Sequence, residues 1–153
     1  MDWKQALIII ISGAIGSLGF SYVFQSPKRR TLINILGGLL VCTVYVISSE
    51  FTDKVFFINL FPAFFATVYA EIMARVVKAP ATPILACSII PLVPGGKLYY
   101  TTYYFVMGEM ELFDITVHEL LEVALGLAVG IMCVTVFVHE FNRHKFRQII
   151  DVE

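Results

Sequence analysis

The run Pro91-Leu92-Val93-Pro94-Gly95-Gly96-Lys97 interrupts an apolar stretch that extends from Thr82 to Met107. Pro91 and Pro94 each remove a backbone donor and fix φ. Gly95 and Gly96 admit φ > 0 at no steric cost. No helix passes unbroken through these residues. In hydrocarbon, unpaired backbone groups survive only where protein or a water-filled cavity satisfies them. Helices broken at mid-depth are a common means of building a transporter's substrate site. This break also carries a lysine.

The surroundings of the break decide that hydrocarbon is the relevant solvent. The chain has 153 residues, 58% of them hydrophobic, and a mean hydropathy of +0.81. Soluble domains have roughly 45–50% apolar residues, so the chain reads as an all-α integral membrane protein forming one membrane domain over residues 1–153. A formal net charge of −1 argues for neither nucleic acid nor an acidic partner. Cys42, Cys87 and Cys133 are odd in number and lie in apolar segments, which suits packing rather than a disulfide framework. The first apolar run, Ala6 to Phe24, is longer than the core of a signal peptide and reads as a retained span.

A span needs about 20 apolar residues. Five segments qualify, at about 5–24, 31–48, 55–74, 82–107 (broken at Pro91–Gly96) and 115–137, with a tail over 138–153. Lys28, Arg29 and Arg30 in the first connection, Arg75 and Lys78 in the third, and Arg143, Lys145 and Arg147 in the tail all fall on one side. The other side has Lys4 and Lys54 among Glu50, Asp53, Glu109, Glu111 and Asp114. The positive-inside rule then sets the N-terminus outside and the C-terminus inside, with the basic tail on anionic headgroups. Five spans cannot form two equal halves, so a partner supplying further spans, or more copies of the chain, is expected.

Small and polar residues mark the helix faces. Gly13, Ser17 and Ser21 form a stripe in the first span, and Asn34, Gly38 and Cys42 form one in the second; both suit close helix packing. Asn34 lies near a helix end and can bond backbone. In the fifth span, Glu119, Glu122, Gly126, Gly130 and Cys133 follow at helical spacing, acidic near the outer end and small toward the middle. Carboxylates within spans cost a few kcal/mol and face protein or water. Glu119 and Glu122, with His118 able to pair with Glu122, are therefore candidates for handling protons. A hydrated structural role for Glu119 near the interface is the other reading. Glu71 and Arg75 are spaced for a structural ion pair.

Each half of the broken span reaches roughly 15 Å, which puts the break near the midplane. The end of the first half presents carbonyls that suit a cation; the start of the second presents N–H groups that suit a carboxylate. Lys97 at that start is either the counter-ion of a substrate carboxylate, a partner of Glu122, or a hydrated residue of an outer-leaflet segment. Tyr99 and Tyr100 lie next to the break and can bond a ligand, whereas Tyr103 and Tyr104 suit an interfacial belt. Pro91, Pro94, Gly95, Gly96, Lys97, Tyr99 and Tyr100 thus form the candidate substrate site.

Pro80-Ala81-Thr82-Pro83, followed by Ile89-Ile90-Pro91-Leu92-Val93-Pro94-Gly95-Gly96 and Tyr99-Tyr100, resembles the threonine/serine exporter family. Length and span number are similar to its small membrane subunit, equivalent to the C-terminal half of the fused exporters. The resemblance implies export of threonine and serine, or of a dicarboxylate such as succinate, driven by the proton motive force across the bacterial cytoplasmic membrane. It also implies a second, larger membrane subunit. The alternative is an assembly subunit whose partner alone forms the path.

No enzyme chemistry is expected. His139 and His144 are five apart, whereas the zinc-helix motif needs four to place both on one face. No Walker motif, nucleophile–base pair or metal cluster is evident, and no cofactor is expected.

Overall fold

The computed structural model describes the backbone from Asp2 to Ile150 and side chains as far as Glu140. Arg143, His144, Lys145 and Arg147 lie outside the described side chains. The described residues form six α-helices and no strand: α1 (Trp3–Val23), α2 (Lys28–Phe51), α3 (Val55–Val77), α4 (Ala81–Ile89), α5 (Gly95–Met107) and α6 (Met110–Ile150). A 3₁₀ turn, Ile90–Leu92, continues α4. Four of the helices are long and apolar enough to cross a membrane, and the bent pair α4–α5 brings the number to five if it counts as one span. The chain is a multi-pass membrane protein.

The helices run past the expected spans at most ends. Lys28, Arg29 and Arg30 form the first turn of α2 instead of a loop, because Pro27 fixes an extended entry directly before them. Glu111 and Asp114 likewise lie in the first turns of α6, after a tight turn at Gly108. Gly108 has φ +77°, a conformation that glycine adopts freely.

The small-residue stripes bring helices together as their spacing suggests. A Cβ on Gly13 would overlap Cys42 Sγ, and one on Gly38 would overlap Ser17. Gly13, Ser17 and Ser21 of α1 thus lie along Asn34, Gly38 and Cys42 of antiparallel α2. Polar links run through this seam. Asn34 Nδ2 donates to Ser21 Oγ at 2.9 Å rather than to backbone, Ser21 to the Ser17 carbonyl, and Ser17 to the Cys87 carbonyl of α4 at 2.8 Å. Such bonds average about 0.6 kcal/mol within membranes; here they fix the first half of the broken helix onto α1 and α2. Tyr69, Ala70, Ala74 and Ile84 close the same end of the bundle with an apolar cluster.

Glycines also set the register of α3 on α6. A Cβ on Gly126 would come 2.5 Å from the Phe56 carbonyl, and one on Gly130 would come 2.7 Å from the Leu60 carbonyl. Both sequences advance together, so α3 and α6 run parallel. The chain between them, α4 and α5, therefore leads from the end of α3 back to the level of its start, α4 packing on α3 and α5 on α6.

That return is bent. The two halves meet at 55°. Val93 is extended (φ −64°, ψ 124°) and Pro94 has ψ 56°. Neither Gly95 nor Gly96 has a positive φ, contrary to the sequence reading; the prolines alone impose the break, and the glycines enter α5 as ordinary helical residues. Leu92 anchors the break in a cluster with Val41 and Ala66. Beyond it, α5 packs chiefly on α6.

Candidate functional site

A cavity of about 510 Å³ lies at the break. Its floor is formed where Pro91 packs over Gly16, beside Gly13 and Cys42, about midway along α1. Its walls are Tyr45 of α2, Ile58 and Asn59 of α3, and the segment Leu92–Lys97. It reaches Val55, the first residue of α3, and Val123 of α6. It thus occupies the half of the bundle opposite the Tyr69–Ile84 cluster.

Pro91, Pro94, Gly95, Gly96 and Lys97 all line this space, as their sequence suggests. Nothing lies within 4 Å of a Cβ built on Gly95 or Gly96, so their lack of a side chain leaves open room there. At the start of α5, Leu98 N–H bonds the Pro94 carbonyl and Gly95 N–H that of Val93, while Lys97 N–H meets no backbone acceptor among the described residues. The Lys97 ammonium and this free amide share one helix terminus, whose dipole favours an anion.

Lys97 does not pair with Glu122. Its Nζ donates to Glu119 Oε2 at 2.5 Å, with the two side chains 39% and 47% exposed. The depth also differs from expectation. Glu119 precedes Gly126 by seven residues, about 10 Å along a helix, and Gly126 is level with Phe56–Leu60. The ion pair therefore stands at the end of α3, at the mouth of the cavity, and only the break itself is central. Extended Val93 and the bend carry the lysine outward. Partial exposure limits what such a pair contributes, to about 0–1 kcal/mol.

Four other arrangements differ from those expected. Tyr99 and Tyr100 lie outside the cavity, 65% and 55% exposed, stacked edge to face on each other. At 100° per residue the face of α5 that carries Lys97 continues at Thr101, which is buried and bonds the Lys97 carbonyl; the tyrosines point elsewhere. The packed face of α6 runs Val123, Gly126, Gly130 and Val134, leaving Glu122 and Cys133 exposed beside it. His118 faces Asp114 at 3.7 Å, not Glu122, in a well-exposed pair. Glu71 and Arg75 both border a shallow depression with Lys78 and Thr82 but form no ion pair among the described residues.

Two residues of α3, Asn59 and Pro62, carry no expectation from the sequence beyond an apolar span. Pro62 lies inside that helix, fully buried, and Asn59 beside it lines the cavity. A proline and an amide three residues apart within an apolar span were the available signal.

A family model described as Threonine/Serine exporter, ThrE matches residues 9–137. The chain belongs to the threonine/serine exporter family. Comparison with curated proteins and with solved structures returned no match. Membership makes the exporter a transport protein rather than an enzyme, and the matched region contains every residue of the cavity.

Proposed function

We propose that this exporter is the small subunit of a secondary transporter of the bacterial cytoplasmic membrane. It moves small carboxylate-bearing metabolites outward under the proton motive force, together with a larger membrane subunit. The observation that carries this reading is the cavity at the break, with the Lys97 ammonium and amide at its mouth. A substrate carboxylate takes the place of Glu119 on Lys97. Glu119, released, exchanges a proton with the outer solution; Glu122 and His118, exposed on the same helix, are further candidates for that traffic.

The parallel register of α3 and α6 supports counting α4–α5 as one crossing, hence five spans. Counting basic residues then sets the N-terminus outside, and the cavity opens outward. The need for a partner is supported by α5, which leaves Leu98, Tyr99, Tyr100 and Val106 uncovered, and by Glu122, an exposed carboxylate within an apolar helix.

Efflux of labelled threonine, serine and succinate from loaded vesicles tests the reading. Lys97→Met should abolish efflux with the complex intact. Unchanged efflux would remove Lys97 from the path and make this chain a scaffold for its partner.

A further inference from the structure

The α3 wall of the cavity faces the Lys97 side with polar groups of its own. Asn59 lies on it, 5% exposed, with its Cβ 3.3 Å from the position of a Cβ on Gly126. Its Nδ2 donates to the Val55 carbonyl at 2.8 Å. A carbonyl only accepts, so this bond fixes which end of the amide is which. Oδ1 then accepts from no group among the described residues. Asn34 Oδ1 is the one unpartnered side-chain polar atom there that is sealed from all space. Asn59 Oδ1 is therefore open, and the space beside it is the cavity.

Pro62 adds a second acceptor. It has no N–H, so the Ile58 carbonyl loses the donor that a helix supplies four residues on. Ile58 lines the same cavity. The cavity wall thus has one side-chain acceptor without a donor, and the adjoining lining residue has a main-chain carbonyl denied its usual helical donor.

We propose that Asn59 Oδ1 and the Ile58 carbonyl receive the ammonium group of an α-amino acid whose carboxylate is held at Lys97. This rests on the reading of the cavity as the substrate path. An ammonium has three donors and no acceptor, the complement of this wall. Two helical turns separate the level of Glu119 from that of Gly126 and Asn59, about 10 Å, a span that a small zwitterion and its hydrogen bonds fill. A dicarboxylate would set its second carboxylate against two acceptors and leave all of them unpaired, which selects against it. Asn59 is thereby a specificity-determining residue between amino acids and dicarboxylates.

The test uses membrane vesicles containing the full complex, with subunit content measured for each variant. Efflux of labelled threonine is compared with inhibition by 3-hydroxybutyrate, which lacks the amine and has no other donor in its place. Asn59→Leu should lower threonine efflux tenfold or more and leave inhibition by the amine-free analogue within twofold. Asn59→Asp, which keeps an acceptor, should retain most threonine efflux. Pro62→Ala, which restores a donor to Ile58, should lower threonine efflux fivefold or more, and it decides the matter should the Asn59 variants fail to assemble. Threonine efflux within twofold of wild type in Asn59→Leu, or in Pro62→Ala when it alone assembles, overturns the assignment, as does equal loss in Asn59→Leu and Asn59→Asp. Loss in Lys97→Met but not in Asn59→Leu overturns this assignment alone. Loss in neither overturns the cavity as the path, and this assignment with it.

Discussion

Gly126 of α6 lies so close to the Phe56 carbonyl of α3 that a Cβ at that glycine would stand 2.5 Å from the oxygen. The obstacle is backbone, which cannot swing aside as a side-chain tip can. The same holds for Gly130 against Leu60. Replacing either with valine should separate the two helices, at a cost of about 1–3 kcal/mol typical of overpacking. A thermal unfolding scan in detergent should show Gly126→Val and Gly130→Val well below wild type. Gly19→Ala, inside α1 where nothing lies within 4 Å, should match or raise the wild-type midpoint.

Gly96 separates binding space from fold. It has negative φ and open room around it, so Gly96→Ala strains nothing. Alanine is favoured over glycine in a helix by about 0.5–1 kcal/mol. Gly96→Ala should therefore match or exceed wild-type stability while lowering transport, since its methyl group enters the cavity. Stability and efflux measured on the same preparation check this; loss of both would mean that the glycine is structural.

The Lys97–Glu119 pair is partly exposed, so its removal should barely affect folding, by about 0–1 kcal/mol. Glu119→Gln should assemble normally and still exchange labelled threonine across the membrane. It should lose the acceleration that an imposed proton gradient gives wild type. Retained acceleration would move proton handling to Glu122, His118 or the partner.

Half the bundle is open and half is closed. With the native cysteines replaced, Val55→Cys at the mouth should react with a membrane-impermeant maleimide added from outside. Ile84→Cys, within the closed cluster, should not. Labelling of Val55→Cys only from the cytoplasmic side would invert the topology.

The sequence was most legible where packing is local. The spacing of Gly13, Ser17 and Ser21 and of Gly38 and Cys42 gives a helix face directly, and both stripes are buried. Two prolines three residues apart give the break. The depth of Lys97 was not legible, because it depends on the bend and on the register of α6 against α3, both long-range. The facing of Glu122 was missed because Val123, not an acidic residue, completes the packed seam with Gly126. Tyr99 and Tyr100 were misplaced for a related reason: nearness in sequence to a site does not give the helical phase that points into it. Asn59 and Pro62 were hidden in an apolar run whose composition alone reads as a plain span.

Protection of Gly96→Cys from maleimide is the most direct test of the cavity as the substrate path. In a background without Cys42, Cys87 and Cys133, the labelling rate is measured with and without threonine, using Val106→Cys on the uncovered face of α5 as a control. Threonine should slow labelling at position 96 and leave position 106 unchanged. Equal rates at position 96 with and without threonine, in vesicles that still export it, would place the path elsewhere.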